Sequence, residues 1–392
     1  MISVATARKL VTDNTVCLAP VTIPLKDGLG KALAGDIIAH ADVPAFAQSA
    51  MDGYAFSFGD WHKDMPLKIS GEMAAGAAEE RPVAKSEAIR IFTGAPVPSG
   101  VNTVVMQEKT RVVFNELFIE DAGLLSGANV RPAGSEIKKG DMALSAKTCL
   151  TPAAIGFLAG MGINQVAVYP DPVVTIIVTG DELQEPGEDL KYGQVYESNS
   201  YTLSAALQQI GLTNVHVYKV KDNQAALASI TRDALAQSDL VLLTGGVSVG
   251  DYDFVTKAAE DCGVHTIFHK IRQRPGKPLF YGKRESAVVF GLPGNPSSVL
   301  TCFYMYVLPA LELLTQRSLS LKKLQVSLIN NYTKQHELTH FLKGWYNGAG
   351  VSILDAQESY RLSSFARANC LVELGAEARL YSEGEEVIIH LL

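Results

Sequence analysis

From residue 171 onward the chain alternates between two hydrophobic rhythms. "VVTIIV" (173–178) is an uninterrupted apolar run, the pattern of a strand buried on both faces. Helical spacing follows over Ser200 to Ile210, with Asn199 as its expected N-cap and Gly211 as its stop. Then come a strand at "NVHVYKV", a helix at "NQAALASITRDALAQ" and a strand at "DLVLL". Next are a helix at "FVTKAAEDCG", strands at "VHTIFHKI" and "SAVVFGL", and a long helix from Ser297. Strands and helices in this alternation predict βαβ units and a mostly parallel sheet over 171–316.

The flanking segments have other textures. Residues 1–45 read as a helix followed by the short strand-and-turn passage "PVTIPLKDGLGKALAGDIIA". Residues 141–170 return to helical character, with Thr151 as N-cap and Pro152 at the first helical position. Between them, residues 46–140 are rich in Gly, Pro and short alternating runs. "EAIRIF", "NTVVMQ" and "TRVVFNELFIE" are strand-like, the last a hairpin turning at Asn115-Glu116. The pattern predicts a helical linker domain (1–45 plus 141–170) interrupted by an inserted β-rich domain (46–140). Residues 320–392, with "KLQVSLIN", "NCLVELG" and "EVIIHLL", form a small C-terminal β-domain of barrel-like character. The fold class is multi-domain α/β plus β.

Composition narrows the function. The formal net charge is −7 with no Lys/Arg block, which argues against a nucleic-acid partner. The five cysteines have neither zinc-knuckle nor C-x-x-C spacing, and suit reduced thiols in a cytoplasmic protein. The N-terminus lacks the apolar core of a signal peptide. The longest apolar stretch, Val299 to Leu308, ends at Pro309 and is too short for a membrane span, so a buried helix is expected.

The chemistry gathers in four loops, each after an expected strand: Thr179–Glu182, Thr244–Asp251, Arg272–Pro278 and Pro293–Pro296. In an open parallel sheet the carboxyl ends of the strands line the ligand crevice. Gly245 and Gly246 let backbone N–H groups approach an anion. Arg274 and Lys277 bring positive charge, and Glu182, Asp251 and Asp253 offer oxygen ligands suited to Mg²⁺. Together they describe a site for a phosphorylated ligand with a divalent metal. Each also has a plainer reading: Asp251 as a helix cap, Glu182 as a solvated acid, Lys277 as a surface residue, Pro293 and Pro296 as turn punctuation. Within "TGGVSVGD", Gly246 to Gly250 fits G-x-S-x-G, the nucleophile elbow of serine hydrolases. A helix that starts only after Asp251 and the lack of an HGGG-type oxyanion loop argue against that assignment, and the later histidines do not settle it. Ser248 suits a phosphate contact better.

"SAMDGYA", "IFTGAPVP", "VRPAGSEIKKGD", "TGDEL", "LTGGVSVGDYDF", "RPGKP", "GLPGNPSS" and "LSSFARANCLVEL", in this order, resemble the MoeA-type molybdopterin molybdenumtransferases, a family that includes the C-terminal domain of gephyrin. The α/β segment alone also resembles the molybdopterin adenylyltransferase (MogA-like) domain and CinA-like proteins, which lack the "MDGYA" and "FTGAP" segments. The resemblance implies a four-domain subunit, a homodimer and an active crevice between the MogA-like domain of one subunit and the inserted domain of the other. It implies insertion of molybdate into adenylylated molybdopterin, with Mg²⁺ assisting and AMP released, in molybdenum cofactor biosynthesis. It assigns catalytic roles to Asp52, Thr93, Glu182, Asp251, Asp253 and Lys277, with Glu182, Asp251 and Asp253 as Mg²⁺ ligands. It assigns substrate binding to Asp222, Gly245, Gly246, Ser248, Arg274, Pro293, Gly294, Asn295, Pro296, Lys343 and Ser364, the last pair toward molybdate. Asp141 matches a family acid near the hinge, or is simply a turn residue after Gly140. Arg274 stands where the family usually has Lys, and Lys343 where it usually has Arg, so charge is kept while fork and point geometries are exchanged. A MogA-like adenylyltransferase is a candidate partner. Competing readings are an adenylyltransferase and a non-catalytic molybdopterin-binding scaffold.

Overall fold

The structure is a computed structural model that describes residues 1–245 and 254–392. The chain divides into two compact units. One comprises Met1–Thr22, Gly30–Ala34 and Ala167–Leu392, the other Ile23–Leu29 and Gly35–Val166.

The larger unit is built on a six-stranded sheet in the order Val215–Val220, Val174–Thr179, Leu240–Thr244, Ala287–Leu292, Phe280–Arg284, His265–His269. The first four strands are parallel. The three inner ones are buried at every position because helices cover both faces, which is why their sequences lack alternation. The strand Phe280–Arg284 is not in the sequence reading, which assigns its residues to no element. It runs antiparallel to both neighbours, so His265–His269 points the same way as the parallel strands. The loop after it therefore still emerges at the carboxyl end of the sheet.

Two helix boundaries correct the sequence reading. Asn199 is not the N-cap of its helix but the first helical residue of Asn199–Gln209; Ser198 precedes it without a side-chain cap. The buried Glu197 carboxylate takes the capping role, accepting from Ser200 N at 2.8 Å and from the Ser200 hydroxyl at 2.5 Å. At the other end of the unit, the long helix starts at Pro296 rather than Ser297 and runs through Pro309 to Thr315. Proline lacks an N–H and its ring crowds the carbonyl four residues back. A π turn over Phe303–Val307 precedes it, the local rewinding that accommodates such a residue. By length and composition the 20-residue run Pro296–Thr315 would suffice for a membrane span. It is instead the central helix of the core, with Val299, Cys302, Phe303, Tyr306, Leu311 and Leu314 all buried.

The C-terminal strands close into a five-stranded barrel. Thr339–Tyr346, Gly350–Ile353, Lys323–Leu328, Glu386–Leu391 and Cys370–Leu374 pair in that order, and the last pairs back with the first. Closure removes the exposed sheet edges that a short β-domain would otherwise carry. Arg274 pairs in register with His340, so the 273–274 segment adds to the barrel wall and joins it to the α/β sheet.

The N-terminal helix Val4–Asn14 packs Val4, Ala7 and Val11 into the same core. Arg8 reaches from it to the barrel, where Nη1 and Nη2 each lie 3.1 Å from Glu373, and His390 Nε2 lies 2.7 Å from the same carboxylate.

The smaller unit contains a six-stranded sheet ordered Thr103–Met106, Gly53–Phe56, Glu87–Ile91, Leu67–Met73, Glu116–Ile119, Thr110–Val113. Successive residues fill two cores on opposite faces: Ala55, Ile89 and Val104 on one, Phe56, Ala88 and Val105 on the other. The hairpin between Val113 and Glu116 turns at Phe114 and Asn115, both at positive φ, one residue earlier than the sequence suggests. Helix Pro152–Gly160 begins as expected, with the Thr151 hydroxyl accepting from Ala154 N at 3.2 Å.

Burial disfavours the Glu373 charge, but hydrogen bonds from His390 and Arg8 outweigh it and hold the carboxyl at about 2, below its usual 4.5. A depressed carboxyl stabilises the fold fully above pH 4.5, and that contribution disappears as pH falls toward 2. Glu373→Gln is expected to flatten the acid limb of denaturant unfolding by about 3 kcal/mol between those limits. An unchanged pH dependence in the variant would contradict this.

Candidate functional site

The carboxyl end of the α/β sheet opens into a crevice of about 880 Å³ in the larger unit. Three of the four expected loops line it: Glu182 from the first, Arg274, Pro275, Gly276 and Lys277 from the third, and Pro293, Gly294, Asn295 and Pro296 from the fourth. Of the second loop, Gly245 lies within the described residues, whereas Gly246, Ser248, Asp251 and Asp253 lie outside them. Gly245 sits at φ +88° directly beside Thr179, and a methyl group there would run into the Thr179 carbonyl oxygen. Only glycine lets these adjacent strand ends meet so closely. Gly276 (φ +87°) is enclosed in the same way, by Cys302 Sγ and Gln273 Nε2.

Buried polar side chains fix these loops. Asn199 Nδ2 donates to Thr244 Oγ1 and to the Gly294 carbonyl, both at 2.9 Å, and so ties the second strand end to the fourth loop. Both amide hydrogens are used there, and among the described residues Asn199 Oδ1 is a buried acceptor without a partner. Gln273, fully buried, donates to the Pro275 carbonyl at 2.9 Å and accepts from the Tyr306 hydroxyl at 2.5 Å, holding the turn that carries Arg274 and Lys277. Both cations are exposed and, among the described residues, neither forms an ion pair.

The barrel supplies the remaining wall through Leu338, Gln357, Glu358, Ser359 and Tyr360. Asn295 Nδ2 donates to Ser359 Oγ at 2.9 Å, and Ser297 N to the Ser359 carbonyl at 3.0 Å. Lys343 and Ser364 do not line the crevice. Lys343, 2% exposed, lies beneath the 356–361 segment, and its ammonium donates to the Ala356, Glu358 and Arg361 carbonyls at 2.9–3.4 Å and to Ser297 Oγ at 3.3 Å. Burial pulls its pKa down from 10.5 to about 8. The Ser364 hydroxyl, also buried, donates to the Ala356 carbonyl at 2.7 Å. The structure thus places both residues as supports of the wall, with no free polar group directed at an anion.

Asp222 also lies off the crevice lining. It accepts from the Thr179 hydroxyl at 2.6 Å, at the end of the neighbouring strand. Asp141 forms a turn, accepting from Lys138 N at 3.3 Å. In the smaller unit Asp52 and Thr93 meet directly: Asp52 Oδ1 accepts from Thr93 N at 2.7 Å and from Thr93 Oγ1 at 2.8 Å. The backbone hydrogen bond, then the hydroxyl, hold the Asp52 carboxyl below its usual range, so it is ionised and oriented. Glu182 is the one expected Mg²⁺ ligand among the described residues, and no three His, Cys, Asp or Glu side chains converge among them. One carboxylate is suitable chemistry for Mg²⁺ but not a complete site.

The residues the sequence reading missed are Asn199 and Gln273. Asn199 passed as a helix cap. Gln273 carried a weak signal, a polar residue beside a pair of cations. The Gln357–Tyr360 segment belongs to "QESYRLSS", where the chain departs from the family pattern at the edge of the C-terminal pocket.

Three family models match the chain. The MoeA N-terminal region (domain I and II) matches residues 2–162, a probable molybdopterin binding domain 175–313, and the MoeA C-terminal region (domain IV) 325–392. A Haemophilus influenzae protein named molybdopterin molybdenumtransferase is 35% identical over 385 residues, covering 94% of each chain. One of the same name from Staphylococcus epidermidis is 32% identical over 401 residues, covering 100% of this chain and 95% of that one. Among solved structures, a molybdopterin biosynthesis MoeA protein from Pyrococcus horikoshii superposes with a TM-score of 0.85 at 29% identity, covering 100% of this chain and 99% of that one.

Removing the Lys343 ammonium while keeping an apolar stem takes that donor from the Glu358 and Arg361 carbonyls and leaves Ala356 with Ser364 alone. Lys343→Met is expected to cost about 2–4 kcal/mol in denaturant unfolding. A loss below about 0.5 kcal/mol would show that the wall does not depend on it.

Proposed function

Because the chain belongs to the molybdopterin molybdenumtransferase family, we propose that it inserts molybdate into adenylylated molybdopterin with release of AMP, a step of molybdenum cofactor biosynthesis. The observation that carries this reading is the crevice itself. Loops from separate strand ends present Arg274 and Lys277, without ion pairs among the described residues, opposite a fixed Pro293–Pro296 turn and the Glu182 carboxylate.

Cleaving a phosphoanhydride is largely a matter of positioning and of offsetting charge. Arg274 offers a planar fork of donors and Lys277 a compact charge. Both would draw in the phosphate oxygens and stabilise the negative charge that develops as the P–O bond to AMP breaks. The Gly245 turn would let the backbone approach the same anion closely. Gln273 and Asn199 hold these donors in place before the ligand arrives, so little reorganisation is needed in the reaction. Mg²⁺, held by Glu182 with Asp251 and Asp253, would supply further neutralisation of phosphate charge.

The proposal extends to assembly. In a homodimer of four-domain subunits, Asp52 and Thr93 of one subunit would complete the crevice of the other. The substrate would come from a MogA-like adenylyltransferase, and the work would take place in the cytoplasm.

Purified protein given Mg²⁺, molybdate and adenylylated molybdopterin is expected to release AMP in proportion to molybdate. Lys277→Ala should reduce kcat/KM by at least a hundredfold while leaving the unfolding midpoint unchanged. Binding of the adenylylated ligand without any molybdate-dependent AMP release would overturn the transferase and leave a scaffold.

A further inference from the structure

The smaller unit carries a charged side chain that the sequence reading passed over. Tyr54 and Arg90 are paired in register on adjacent antiparallel strands, and Phe92 follows Arg90 by two residues. Successive strand residues alternate between faces, so these three side chains share the face that carries Phe56, Ala88 and Val105. Asp52, two residues before Tyr54, and Gln107, two after Val105, continue that face to the end of the sheet. The Gln107 N–H donates to the Asp52 carbonyl at 3.0 Å and locks the two together. A single corner of the sheet therefore collects Asp52, Tyr54, Arg90, Phe92, Thr93 and Gln107.

Arg90 is held but not neutralised. Its Cζ lies 5.0 Å from the centroid of the Tyr54 ring and 5.2 Å from that of Phe92. Its Nη2 donates to Gln107 Oε1, a neutral acceptor. Among the described residues it forms no ion pair, although Glu72 occupies the matching register position on the next strand. Asp52, whose carboxyl Arg90 helps to keep ionised, has Oδ1 occupied by Thr93. Rings packed on a guanidinium fix its plane and leave its N–H edge for an acceptor. An oriented guanidinium with its charge unspent, beside a carboxylate already bound to two donors, suits a tetrahedral oxyanion that also carries a hydroxyl or a proton for Asp52 to accept.

We propose that Arg90, braced by Tyr54, Phe92 and Gln107, is a binding residue for a tetrahedral oxyanion at the Asp52–Thr93 corner. Two sources fit the chemistry, molybdate and the phosphate of the nucleotide. The inference rests on the functional reading above.

The test uses the full-length protein, with binding of sodium molybdate and of AMP measured by calorimetry alongside steady-state AMP release. Calorimetry does not require turnover, so failure of the transferase reading and failure of the Arg90 assignment are separable. Arg90→Gln is expected to weaken at least one of the two ligands about ten- to a hundredfold with the thermal midpoint unchanged. Arg90→Lys, which keeps charge but not the planar fork, should restore part of the loss. Loss of molybdate alone assigns the corner to molybdate, and loss of AMP alone assigns it to the phosphate. The proposal is overturned if both affinities stay within twofold of the parent. It is also overturned if they fall together with the midpoint and Arg90→Lys restores neither.

Discussion

A lysine ammonium taken out of water and held by backbone carbonyls is the interaction on which the crevice depends. Lys343 sits under the 356–361 segment and satisfies three of its carbonyls. Irregular backbone is costly to bury unless its polar groups are paired, and this segment has no strand partner to pair with. One side chain with three donors replaces the missing ladder. Its lowered pKa, about 8, measures what burial costs the charge. The wall that Lys343 supports carries Ser359, which meets the Pro293–Pro296 turn, so the interaction links the barrel to the sheet through a few hydrogen bonds.

The same solution recurs around the crevice. Asn199 replaces a ladder between Thr244 and Gly294, and Gln273 between Pro275, Gly276 and Tyr306. Three polar side chains, each anchored in the interior, position loops that must stay open toward solvent. That division lets Arg274 and Lys277 remain exposed while their backbone is fixed. A site built in this way is organised before the ligand binds, the condition for electrostatic stabilisation to be effective.

Much of this was legible in the sequence because the physics is local. The buried parallel strands announce themselves by unbroken apolar runs, and the loops after them by Gly, Pro and charge. The ordered motifs led to the family that the relatives then bore out. What was not legible is non-local. Phe280–Arg284 is short and ends in charge, and only its two neighbours make it a strand. The longest apolar stretch ends at Pro309, yet a π turn and a surrounding core carry the helix past it. Asn199 has the composition of a cap, and it is freed for another task only because Glu197 caps the helix first. Lys343 and Ser364 carry ligand-like chemistry in sequence, but the closure of the barrel turns them inward.

The central claim is that loops at the carboxyl end of the α/β sheet form an anion-binding crevice. A crystal structure with adenylylated molybdopterin and molybdate tests it most directly. The account predicts phosphate oxygens within hydrogen-bonding distance of Arg274 and Lys277, with the Pro293–Pro296 turn against the ligand. A ligand bound away from that crevice, with both side chains still facing solvent, would contradict it.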